Sequence, residues 1–134
     1  MDDKSNHIVY VRNMAIFQFD MAWELLKYNL NGLDDEICLW QPGERGLHVH
    51  KRDGAWYADW PGSADAVKNK ISQLHDRWKT VLETMSDEDF ISHTRTKWPF
   101  EDKPFYELAA WLNLELIKNA SEIGYCRFLY ASQK

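Results

Sequence analysis

Side chains able to do chemistry gather in two places along this chain. In the stretch LNLELIKNASEIGYCRFLY, residues 112–130, Glu115, Asn119 and Glu122 interrupt an otherwise apolar run. Their spacing of i, i+4 and i+7 puts all three on one face of a helix. Two carboxylates and an amide on one face can bind a polar ligand, or contribute oxygen ligands to a cation. The same triple also suits a solvated face, with Glu107 and Lys118 supplying contacts one helical turn away. The second place is GLHVHKRDG, where His48 and His50 alternate. In an extended arm both imidazoles fall on one side, a workable arrangement for zinc or nickel. A two-residue His-x-His lacks a third ligand, and the plainer expectation is a pair of surface or packing histidines. A weak site joining Glu115 to His48 and His50 forms if the arm folds over the mouth of a bundle. Glu115, Asn119, Glu122, His48 and His50 are therefore the pocket candidates, and no residue is assigned a catalytic role.

Other reactive types have quieter readings. His75 lies beside an apolar seam and reads as a structural, hydrogen-bonded histidine. Cys126 shares the face of Asn119 and Glu122, and its neighbour Arg127 projects about 100° away. Cys126 is expected to be a core thiol. The indoles of Trp40, Trp56, Trp60 and Trp98 suit apolar packing, with an aromatic pocket for a small apolar ligand as the alternative. Neither a glycine-rich phosphate loop nor a nucleophile elbow can be written anywhere in the chain.

Three long helical segments must position these groups. NMAIFQFDMAWELLKYNLNGL, residues 13–33, repeats Phe19, Trp23, Leu26 and Leu30 at helical spacing, and Gly32 is placed to end it. SADAVKNKISQLHDRWKTVLETM, residues 63–85, carries a seam of Val67, Ile71, Leu74, Trp78, Val81 and Met85 behind a Ser63 N-cap. The last helix is expected from Pro104 to about Tyr130, with Asp102 as its cap. Asp34 or Asp35 suits the start of a short turn, and Ser86 with Asp89 suits another. Asp53-Gly54 between alternating arms predicts a hairpin or ordered loop near 46–60. No repeat or linker divides residues 1–134, so one all-α domain is expected.

Bulk properties narrow the partners. Sixteen basic against twenty-one acidic residues give a net charge of −5, and no basic run is longer than Lys51-Arg52. A nucleic-acid role is disfavoured. No stretch approaches the roughly 20 apolar residues of a spanning helix. The acidic MDDKSNHIVY start is not expected to be a signal peptide, and the isolated Cys38 and Cys126 suit a reducing, cytoplasmic setting.

The stretches LDDEICLWQP, GLHVHKRDGAWYADWP, LHDRWKTVLETMSDEDF and WPFEDKPFYELAAWLNLELIKNASEIGYCRFLYA resemble the DinB-like (YfiT-like) superfamily from Trp23 onward. The resemblance implies a four-helix bundle, often dimeric, whose better-known members hold a divalent metal through three histidines and include thiol transferases. Aligning the last helix on Ser121-Glu122-Ile123 places Glu115 and Asn119 where two of those histidines stand. Glutamate can bind a metal, whereas an asparagine amide does so poorly. A helix carrying the third histidine is also expected between the hairpin and residue 63, yet Trp60-Pro61 runs straight into Gly62-Ser63. The missing helix would leave an apolar stripe uncovered, which a second copy of the chain could fill as a homodimer.

Three functions follow from this reading. The first is a DinB-like module that binds a small ligand or serves under stress, with an inward polar patch at Glu115, Asn119 and Glu122 and no tightly held metal. The second is a metal-dependent thiol or group transferase using Glu115, Asn119 and His48 or His50. The third is a structural dimerisation module.

Overall fold

The computed structural model describes residues 3–40, 60–97 and 99–133. Five helices occur among them: α1 (Asp3–Leu30), α2 (Asp35–Leu39), α3 (Ala64–Thr84), α4 (Asp87–Ile91) and α5 (Phe105–Ser132). No strand occurs among the described residues, so the fold is an all-α bundle as expected. The hairpin expected near 46–60 lies, apart from Trp60, outside the described residues, as do His48, His50, Trp56 and Trp98.

Local chemistry sets most helix ends. Asp34 caps α2 by accepting from the Ile37 N–H at 2.9 Å. Ser63 and Ser86 cap α3 and α4, their hydroxyls accepting from Ala66 and Asp89 backbone N–H groups. Gly32, at φ +73°, turns the chain after α1. Two expectations need correction. First, α1 begins ten residues before the periodic segment, because Ile8 packs on the core and Arg12 donates to the Leu82 carbonyl and the Asp87 carboxylate, both at 2.8 Å. Tertiary contacts extend a helix that local period does not mark. Second, Pro104 occupies the N-cap of α5 and no side chain caps it; Asp102 instead adopts a left-handed φ of +56° in the preceding turn.

Cross-contacts fix the helix directions. Asn113 reaches Ala15, Asn29 reaches Ala120, and Arg127 reaches Asn29 and Asn31, so residue numbers rise together and α1 and α5 run parallel. Arg12 meets Leu82 while Trp23 meets His75, so α3 runs antiparallel to α1. Helix α1 is thus the shared member of the bundle. One cluster joins Ala15, Phe19, Leu82, Phe90, Phe105 and Ala109; a second joins Leu26, Leu30 and Ala120. Lys79 adds a polar strut, donating to Asp20 at 2.7 Å, and that hydrogen bond raises the Lys79 pKa above its ordinary value.

Candidate functional site

A groove of about 600 Å³ opens between α3 and α5, with α1 as its floor. Phe19, Trp23 and Leu26 form the floor. Ile71, Leu74, His75, Arg77, Trp78 and Val81 form the α3 wall, and Leu112, Leu116, Asn119 and Ile123 form the α5 wall. The two walls meet at one end, where the rings of Trp78 and Phe105 lie 5.7 Å apart. Pro61-Gly62-Ser63 leads directly into α3, so the described helices supply three corners of a four-cornered bundle. Among the described helices, none covers the remaining side of the groove.

The walls are mostly apolar, and their polar atoms are few. His75 stacks on Trp23 at 4.0 Å and on Phe19 at 5.1 Å, held between the floor and the α3 wall. Its Nδ1 meets the Asp76 carboxylate at 3.0 Å, while its Nε2 is buried and has no partner among the described residues. A carboxylate on Nδ1 favours the proton there, leaving Nε2 as an acceptor in the neutral ring. Trp78 Nε1, one helical turn further on, is a buried donor that also lacks a partner among the described residues. An unpaired buried polar atom costs about 1–3 kcal/mol. Two of them in one wall give the groove a polar layer just beneath its apolar lining. Arg77 adds an exposed guanidinium at the same wall.

Of the α5 triple predicted from spacing, the structure brings Asn119 to the groove and leaves the other two apart from it. Glu115 is partly buried and holds Lys118 at 2.6 Å, an i,i+3 ion pair. Glu122 is exposed. Among the described residues no three His, Cys, Asp or Glu side chains come together as a metal-binding group. Cys126 is exposed, which corrects its expected place in the core, because the α5 face that buries Asn113 and Ala120 lies away from it. His75, by contrast, sits where the seam placed it, and its role in the groove becomes visible only through the aromatic stack.

The polar residue that spacing did not flag is Asn113, only 1% exposed at the contact of α1 and α5. Its Nδ2 donates to the Ala15 carbonyl at 3.0 Å and to Gln18 Oε1 at 3.3 Å. A lone Asn with Leu at 112 and 114 carries no sequence signal that separates it from Asn119. Gly124 completes this parallel contact: a β-carbon there would come within 2.7 Å of Asn29 Oδ1, whose amide donates to the Ala120 carbonyl.

A family model described as the DinB superfamily matches residues 43–123. No curated protein and no solved structure matches the chain.

Proposed function

This chain belongs to the DinB superfamily, and from that premise we propose that it binds a small, largely apolar molecule in the groove between α3 and α5. The carrying observation is the groove itself, about 600 Å³ and walled by aliphatic and aromatic side chains. Small-molecule sites have this size and character, with a few polar groups fixing orientation. The rings of His75 and Trp78, one turn apart on α3, give the wall flat aromatic faces for such a molecule. Asn119 offers an amide from the facing wall. Arg77 favours a ligand with an anionic end. Such a protein would carry, sense or sequester its ligand, as a stress-associated module does, without a reacting group of its own.

Titration with 1-anilinonaphthalene-8-sulfonate, an aromatic body with an anionic end, tests this reading. Trp23 and Trp78 line the groove, so bound dye should accept energy from tryptophan. Leu74 lines the groove yet is 51% exposed, so Leu74→Glu, which sets a negative charge against the dye's sulfonate, should leave folding intact. The expected result is dye affinity weakened at least tenfold, or about 1.4 kcal/mol, with near-UV circular dichroism unchanged. Equal affinity in the folded variant removes the groove as the binding site.

A further inference from the structure

Asparagine followed by glycine is chemically labile, because the glycine nitrogen can attack the asparagine side-chain carbonyl with no β-carbon in the way. The chain has one such pair, Asn31–Gly32, in the turn between α1 and α2 and apart from the groove. Both residues are exposed, so water and hydroxide reach them. Neither the Gly32 N–H nor the Asn31 side-chain amide has a hydrogen-bond partner among the described residues. The attacking nitrogen and the carbon it attacks are therefore both available. Gly32 itself sits at φ +73°, a conformation that its lack of a side chain permits.

Arg127 sets this pair apart from an asparagine in an ordinary turn. Its Nη1 donates to the Asn31 carbonyl oxygen at 2.6 Å. Its Nη2 lies over Gly32, 3.5 Å from where a β-carbon would stand. The Asn31 carbonyl belongs to the same peptide bond as the attacking nitrogen. When that nitrogen gives up its proton, negative charge spreads to the oxygen that the guanidinium holds. A cation fixed beside a developing anion favours its formation.

We propose that Asn31 is a site of covalent self-modification, converted to isoaspartate and aspartate through a cyclic imide, with Arg127 directing the outcome. In the first step Gly32 N loses its proton to hydroxide and bonds to Asn31 Cγ. The Cγ–Nδ2 bond breaks, and Nδ2 leaves as ammonia after taking a proton from water. In the second step water adds to one of the two ring carbonyls, and the bond from that carbon to nitrogen breaks. Attack at the former side-chain carbon gives aspartate; attack at the main-chain carbon gives isoaspartate. The sum consumes one water, releases one ammonia and leaves every oxidation state unchanged. The main-chain carbonyl is the one Arg127 polarises, so isoaspartate is the favoured product. Its new carboxylate contains the oxygen that Arg127 already holds, and a charged acceptor binds a guanidinium more strongly than a neutral one. The modified main chain is one atom longer in the turn, so aged copies differ from fresh ones where Arg127 ties α5 to the end of α1.

Incubation of the folded chain at pH 7, 8 and 9, followed by tryptic mass spectrometry, tests this. The peptide from Tyr28 to Arg45 contains Asn31, and fragmentation separates a gain there from one at Asn29. The expected result is the mass gain of an amide-to-acid exchange at Asn31, faster as hydroxide rises, with isoaspartate exceeding aspartate. The chain unfolded in guanidinium chloride should show a lower ratio of isoaspartate to aspartate, because Arg127 no longer lies on the turn. Arg127→Gln, checked for folding by circular dichroism, should lower that ratio at least twofold. Asn31→Gln, which would need a larger ring, should slow the gain at least tenfold. A folded parent that stays unconverted while the unfolded chain converts overturns the proposal, since the turn then guards the pair. Equal product ratios in the folded parent, the unfolded chain and Arg127→Gln overturn the role given to Arg127.

Discussion

Replacing His75 by phenylalanine should stabilise the protein while changing the groove. The His75 side chain is only 13% exposed, and its Nε2 has no partner among the described residues. Leaving such an atom unpaired costs about 1–3 kcal/mol. His75→Phe removes that atom and keeps a flat ring between Trp23 and Phe19. The additional ring atom has room, because His75 borders the groove. The loss is the contact of Nδ1 with Asp76, whose side chain is 76% exposed, and an exposed pair contributes only about 0–1 kcal/mol. The balance is a gain of about 1–2 kcal/mol, which for this length raises Tm by roughly 3–8 °C. His75→Ala, which abolishes the stack, should instead lower stability by about 2–3 kcal/mol. Thermal and urea unfolding at one protein concentration, followed by far-UV circular dichroism, measure both. A folded His75→Phe protein that melts more than about 3 °C below the parent would refute the reasoning. It would show that Nε2 is already satisfied in solution.

Leu82, with no exposed surface, sits at the centre of the larger core cluster, so Leu82→Ala should cost about 2–5 kcal/mol in urea unfolding. Arg127 donates to the Asn29 and Asn31 carbonyls at 2.6 Å each, closing the end of α1, so Arg127→Ala should cost about 1–2 kcal/mol. The two thiols should differ in alkylation by iodoacetamide at pH 8. Cys126 is exposed and reacts first; Cys38 is partly buried, and desolvation followed by the Asp35 carboxylate pushes its pKa up, so it lags. Because the folded thiol pKa is raised, Cys38 favours folding below its unfolded pKa. That contribution fades as pH climbs past about 8.5, so Cys38→Ser should flatten the alkaline loss of stability.

Amphipathic order explains what the bare sequence discloses. In α3 the apolar seam is bounded by polar residues, so Ile71, Trp78 and Val81 identify the inward face, and Ser63 identifies the start. Helix α5 is apolar nearly all round: Leu112, Leu114, Leu116 and Ile117 surround the axis within two turns. Such a helix has no face that periodicity can prefer. The polar triple Glu115, Asn119 and Glu122 stands out by type, yet Asn113 is the side chain the bundle buries. The same ambiguity hides the outer face of α1, since the exposed Met21 and Tyr28 read as ordinary members of an apolar helix. The groove is foreshadowed by the short Pro61-Gly62-Ser63 junction, because an expected helix missing before residue 63 would leave an uncovered seam. Which side chains line it depends on the parallel pairing of α1 and α5, a relation between segments about 95 residues apart that no local window contains.

That pairing also governs the order in which the molecule can be made. Helix α1 leaves the ribosome well ahead of α5, its principal partner, while α3 covers only part of what α1 must hide. Loop closure over so long a separation is slow and yields nothing until both ends are present. Synthesis at about 5–20 residues per second then keeps α1 waiting for several seconds with its greasy surfaces bare. Nascent chains of this protein should therefore depend on holdase chaperones, and a ribosome stalled ahead of Asn113 should release a species that aggregates.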